Sequence, residues 1–138
     1  MQTIRLTPED VTSEQEPSMA HGDIPVILSL SVYDIPSSLT VAPEKGLLRI
    51  TFNYVDNEES VSRYVDDDLT VLVGKSSGKV LGFVVKPNTR QPREIIVRIV
   101  HGVDEQLQRA TRPNQRLNYR LIRRVVENTL EPLLAVAP

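Results

Sequence analysis

Three adjacent carboxylates, Asp66, Asp67 and Asp68, stand at the head of the stretch "YVDDDLTVLVGKSSGKVLGFVV", residues 64–85. Carboxylates so placed could hold a hard cation or act as general acid and base. A calcium loop of the EF-hand kind needs oxygen ligands at alternate positions and a glycine at the sixth. Counting from Asp66 the sixth residue is Val71, and counting from Asp56 it is Val61. Neither can make that turn. Short acidic side chains just before a strand favour turns by bonding their own backbone, and they discourage edge pairing by another chain. The expected role of Asp66–Asp68 is therefore the solvated edge of a hairpin, with no metal and no cofactor.

The remaining catalytic residue types are thinly spread. His21 and His101 lie far apart and show no metal-binding spacing, and the chain has no cysteine to complete a thiolate site. The "GKSSGK" turn, residues 74–79, lacks the Gly-x-Ser-x-Gly order of a nucleophile elbow. It is also too short for a phosphate-binding loop of the Gly-x-x-x-x-Gly-Lys-Ser/Thr kind. No catalytic residue is assigned, and the expectation is a protein that is not an enzyme.

The arginines carry the strongest functional signal. Arg109, Arg112, Arg116, Arg120 and Arg123 recur at spacings of 3, 4, 4 and 3. On one continuous helix they would form a basic stripe able to follow a phosphate backbone through planar guanidinium forks. Arg112, Arg116, Arg120 and Arg123 are the residues assigned to contact with an anion or nucleic acid. Pro113 favours two separate helices instead, and Glu127, four residues from Arg123, is placed to pair with it. Aromatic residues make up 4% of the chain, which leaves few platforms for stacking bases.

The whole composition is that of an ordinary globular domain. The chain has 138 residues, 25% charged and 40% hydrophobic, with a net charge of −2. The charge is uneven: residues 1–86 hold 7 Lys and Arg against 13 Asp and Glu, whereas residues 87–124 hold 9 Arg against three acidic residues. No apolar run approaches the roughly 18 residues of a spanning helix, and the first residues lack the apolar core of a signal peptide. The expected location is cytoplasmic, with no membrane association.

The elements that must position these residues read as follows. Residues 1–23, rich in acidic and small polar types, are expected to form a mobile tail, and residues 24–138 one α+β domain. Residues 24–33 alternate apolar and polar positions, as a half-buried strand does. Residues 34–46, with two prolines and a glycine, read as a loop with a short extended piece at Leu39–Val41. In residues 47–55 Leu48, Ile50, Phe52 and Tyr54 share one face, and residues 60–65 form a short strand. Leu69–Val73 and Val80–Val85 flank the "GKSSGK" turn. Alternation puts Leu69, Val71 and Val73 on one face, and Leu72 with Leu81, Phe83 and Val85 on the other. Both faces then need cover, from the helices or from a second subunit.

Beyond residue 86 the period changes. Ile95, Ile96, Ile99, Val100, Val103 and Leu107 fall at helical spacing behind Pro92 and Glu94. The β-branched run "IIVRIV" leaves a strand followed by a short helix as the alternative. A last helix is expected from Asn114 to Glu131, ended by Pro132, with Tyr119, Leu121, Ile122, Val125, Val126, Leu130 and Leu133 on its apolar half.

Residues 47–85 resemble a group of small bacterial domains of unknown function. The matching residues are Leu69–Val73, Ser76-Ser77-Gly78, Val80-Leu81, Gly82 and Phe83-Val84-Val85, with serines in the turn where that group has aspartates. The resemblance implies a small β-meander capped by helix and brings no active-site residues.

The expected architecture is a mostly antiparallel β-meander of four or five strands, followed by two C-terminal helices packed on one sheet face. The expected function is a non-catalytic protein–protein interaction module that self-associates, as a homodimer or with another protein. The alternative is a nucleic-acid-binding accessory factor using Arg109, Arg112, Arg116, Arg120 and Arg123. Nucleic acid is the less favoured partner.

Overall fold

The computed structural model describes residues 2–6, 35–87 and 91–136. They form an α+β fold with β1 (Gln2–Arg5), β2 (Ser38–Glu44), β3 (Leu47–Asn53), β4 (Ser60–Asp66), β5 (Leu69–Gly74) and β6 (Val80–Val85), then α1 (Pro92–Arg109) and α2 (Pro113–Val136). The six strands make one sheet in the order β1-β2-β3-β6-β5-β4, with every neighbouring pair antiparallel. That is more strands than the four or five expected. The topology is two meanders set side by side, joined where β3 pairs with β6.

Two of the strands come from stretches read as irregular. Gln2–Arg5 pairs with Ser38–Val41, so this part of the expected tail belongs to the sheet. Ile4 and Leu6 are half-buried against the core, and that burial offsets the ordering entropy of the strand. The rest of residues 1–23, and the strand expected at 24–33, lie outside the described residues. Ser38–Glu44 is a full strand rather than a short piece in a loop, because Leu39 and Val41 alternate into the core. Its Pro43 sits one residue from the strand end, where a missing backbone donor costs little.

The core lies between the sheet and the two helices. β3 supplies Leu48, Ile50 and Phe52, all buried as their alternation predicts. The hairpin of β5 and β6 departs from simple alternation. Leu69 stands opposite Val85 and Val71 opposite Phe83, which brings Phe83 and Val85 onto the same face as Leu69 and Val71. The register shifts between Leu72 and Val73, leaving Leu81 as an extra residue and turning Val80 inward as well. The two-sided apolar hairpin expected from sequence thus becomes mainly one-sided, with Leu72, Leu81 and Val84 half-buried on the other face. Phe52 and Phe83 meet edge to face, with ring centroids 5.8 Å apart.

α1 is a continuous helix that packs against β5 and buries Ile95, Ile99 and Val103. α2 packs against β6 and buries its whole expected apolar half. It runs through Pro132 rather than ending there. Pro132 is exposed in the last turns, so the carbonyl it leaves unbonded faces solvent, while Leu133 and Leu134 gain burial by continuing the helix. Among the described residues no helix is long and apolar enough to cross a membrane.

Candidate anion-binding cleft

Three elements meet at one end of the molecule: the edge strand β4, the β5–β6 turn, and the joint between α1 and α2. The turn is shaped by backbone bonds from Gly78 N–H to Gly74 O and from Gly74 N–H to Lys79 O, both 2.8 Å. Gly78 has φ of 73°, a conformation in which a side chain is strained. The Tyr119 hydroxyl donates to Gly78 O over 2.7 Å and accepts from Gln115 Nε2 at 2.9 Å. The first turns of α2 are therefore tied to the tip of the hairpin. Burial, the largest influence, holds the Tyr119 hydroxyl above its ordinary pKa, against the pull of the Gln115 hydrogen bond and the Arg63 charge.

From beneath, the turn is braced by a carboxylate. Glu58 accepts from Ser76 N–H and Ser77 N–H, both 3.1 Å, and from Ser77 Oγ at 2.8 Å. Lys79 Nζ lies 3.8 Å from Glu58 and 4.3 Å from the centre of the Tyr54 ring. Burial opposes the Glu58 charge and is the largest single influence. The hydrogen bonds from Ser77 and Ser76, with the Lys79 ammonium, nonetheless hold its carboxyl below its ordinary value of 4.5. Behind the turn, Asn118 accepts from Val80 N–H at 2.9 Å and donates to Tyr54 Oη at 3.0 Å, and Tyr54 donates to Val80 O at 2.7 Å.

Between these supports lies a cleft of about 420 Å³. Arg63 enters it from β4, Lys75 from the turn, and Arg109 and Arg112 from the helix joint. Among the described residues, no aspartate or glutamate lines it. Arg63, Arg109 and Arg112 form no ion pair among the described residues, and the one pair of Lys75 is an exposed contact with Glu59 at 3.5 Å. Among the described residues, the three guanidinium groups of the site thus stand together without a carboxylate partner.

The continuous arginine stripe of the alternative reading is divided at Pro113, where the sequence favours two separate helices. α1 ends at Arg109 and α2 begins at Pro113, so no single helix carries all five residues. Arg109 and Arg112 turn to the cleft. Arg116 donates from Nη1 to Ala110 O at 3.4 Å and ties the helix joint together. Arg120 is exposed. Arg123 pairs with Glu127 at 2.9 Å, as its spacing predicts, and with Asp104 of α1 at 3.1 Å. Sequence reasoning missed Arg63, Lys75 and Gln106 as cleft residues. Arg63 lies about fifty residues before Arg109, and nothing in its local pattern points across that distance.

The acidic run is consumed structurally. Asp66 Oδ1 accepts from Asp68 N–H at 2.8 Å, Asp67 accepts from the Tyr64 hydroxyl at 2.7 Å, and Asp68 pairs with Arg98 of α1 at 2.7 Å. No group of three or more metal-ligating side chains stands together among the described residues. His101 is an exposed α1 residue 3.3 Å from Glu105, and His21 lies outside the described residues. In comparisons with protein families, curated proteins and solved structures, nothing matches this chain.

Proposed function

We propose that this chain is a non-catalytic binding domain that engages an anionic partner through the cleft between β4, the β5–β6 turn and the helix joint. The observation that carries this reading is the gathering of Arg63, Lys75, Arg109 and Arg112 around one cavity with no carboxylate among its described lining residues. Like charges brought together repel, and an anion placed among them removes that cost while gaining charge-assisted hydrogen bonds. The test is titration of inorganic phosphate at low salt, followed by amide NMR. Shifts should concentrate at Gly74–Gly78, Gln106 and Ala110, weaken as salt rises, and vanish in the double variant Arg109→Gln/Arg112→Gln. They should persist in Arg120→Gln, which lies outside the cleft. Absence of any shift with phosphate, together with no salt-sensitive retention on a polyanion, would sink the reading.

Self-association is a second reading, and β4 favours it. This strand is at the end of the sheet order, Ser60 to Tyr64 are all exposed, and Val61 and Tyr64 are among the exposed large apolar residues. An uncovered edge of this kind can accept a further strand. The apolar surplus that first suggested a dimer counts for less, because the arc of α2 and most of the hairpin are buried within the chain. Sedimentation of wild type and a Val61→Lys/Tyr64→Lys variant tests it: a dimer that the variant dissociates supports the reading, and a monomer at high concentration ends it.

A further inference from the structure

The cleft has a second feature that charge does not explain. Gln106, on α1, lines it and is only 7% exposed, yet its amide makes no hydrogen bond with another described residue. No fully enclosed side-chain nitrogen or oxygen lacks a partner among the described residues, so the Gln106 amide keeps its polar atoms on the open space of the cleft. That amide presents two donors and one acceptor to whatever occupies the cleft. The inner wall is thus built for a neutral hydrogen-bonding group, and the rim for a negative one.

The kind of anion follows from number and shape. Three guanidinium forks exceed what a single carboxylate can neutralise. A phosphate monoester carries a charge of about −1.5 to −2 and three strong acceptor oxygens, which suits forks arriving from two different elements. The volume, about 420 Å³, lies in the usual range for a small-molecule site. The body of the ligand is constrained by the lining as well. Tyr119 is the sole aromatic among the described lining residues; it is 2% exposed and its hydroxyl is held by Gly78 and Gln115, so it offers no face to a nucleobase.

Resting on the anion-binding reading above, we propose that the cleft is a receptor for a small phosphate monoester with a hydroxyl-bearing, non-aromatic body, of the sugar-phosphate class. The phosphate sits among Arg63, Arg109 and Arg112, and the hydroxyls meet Gln106.

Isothermal titration with glucose 6-phosphate, inorganic phosphate, glucose, adenosine monophosphate and a DNA single strand tests this, on wild type, Gln106→Leu, Arg63→Gln and the Arg109→Gln/Arg112→Gln pair. Glucose 6-phosphate should bind about tenfold more tightly than inorganic phosphate or adenosine monophosphate, a difference on the order of 1.4 kcal/mol. Gln106→Leu should remove that advantage, and the arginine pair should abolish binding. Arg63 is exposed, so Arg63→Gln, expected to weaken glucose 6-phosphate about tenfold, keeps the test open if the Gln106 variant does not fold. If glucose 6-phosphate binds no better than inorganic phosphate, or Gln106→Leu keeps the difference, the sugar-phosphate assignment is overturned while the anion reading stands. Preference for the single strand, lost in the arginine pair, has the same meaning. Failure of every anion to bind overturns both.

Discussion

The Ser77 hydroxyl donates to the Glu58 carboxylate over 2.8 Å, across 19 residues of chain, and the Ser77 and Ser76 amides point at the same group. The turn that forms one wall of the cleft is therefore wrapped around an internal anion. Its amides are already engaged, which leaves external anions to the arginines and Lys75.

That arrangement makes stability depend on pH in a definite direction. The folded Glu58 carboxyl titrates below its ordinary value of 4.5, so the unfolded chain binds the proton more readily. The stabilising contribution is present above about pH 4.5 and is lost as pH falls through the depressed folded value. Glu58→Gln should cost about 1–3 kcal/mol at pH 7. The gap from wild type in urea denaturation should close in acid; a gap of equal size at pH 3 would contradict the assignment.

Asn118 links three elements from a position 1% exposed. Replacing it with Ala strips the Val80 amide and the Tyr54 hydroxyl of a partner at once. The expected loss is about 1–3 kcal/mol, chiefly for the Val80 amide left unsatisfied, because the Tyr54 hydroxyl still donates to Val80 O. Thermal unfolding measures it, and a change under 1 kcal/mol would show that water or repacking restores both bonds.

Gly82 lies where β6 runs beside β3. A Cβ at this position would collide with the Ile50 carbonyl oxygen, which is backbone and has no rotamer to escape into. Gly82→Ala should therefore destabilise by about 1–3 kcal/mol or more, as overpacking against a fixed neighbour does. Amide exchange in β3 and β6 should quicken before that in α1. A neutral substitution would mean the two strands separate at little cost.

Removing residues 1–6 takes β1 from the sheet and uncovers β2. Leu39 and Val41 lose the flanking cover of Ile4 and Leu6, and Thr40 loses its 2.9 Å bond to Thr3. The truncated chain should still unfold cooperatively but with a lower midpoint, by about 1–3 kcal/mol for two half-buried aliphatic side chains. Faster hydrogen exchange at the β2 amides is the direct sign, and unchanged exchange there would remove β1 from the folded core.

Much of the architecture is legible in local pattern. The alternation of Leu48, Ile50 and Phe52 predicts a strand with one buried face, and all three are buried. The 3.6-residue period from Tyr119 to Leu133 predicts the helix face that docks. Arg123 and Glu127 pair because four residues is one helical turn. Each of these depends on what a residue does relative to its own element, and a pattern of a few residues carries that.

What tertiary structure alone decided is how the elements face one another. The bulge at Leu81 turned Phe83 toward Val71, a one-residue change in register that alternation within β6 does not report. Tyr54 and Asn118 meet across 64 residues, and Arg63 reaches the same cleft as Arg109 and Arg112 because β4 closes the sheet beside the helix joint. Such encounters depend on strand order and register, which hydrophobic burial selects over the whole chain. The arginines' own spacing pointed to a stripe along one helix. Pro113 already pointed to its division; the tertiary packing decided that two of its members face the cleft and that Asp104 of α1 joins Glu127 on Arg123.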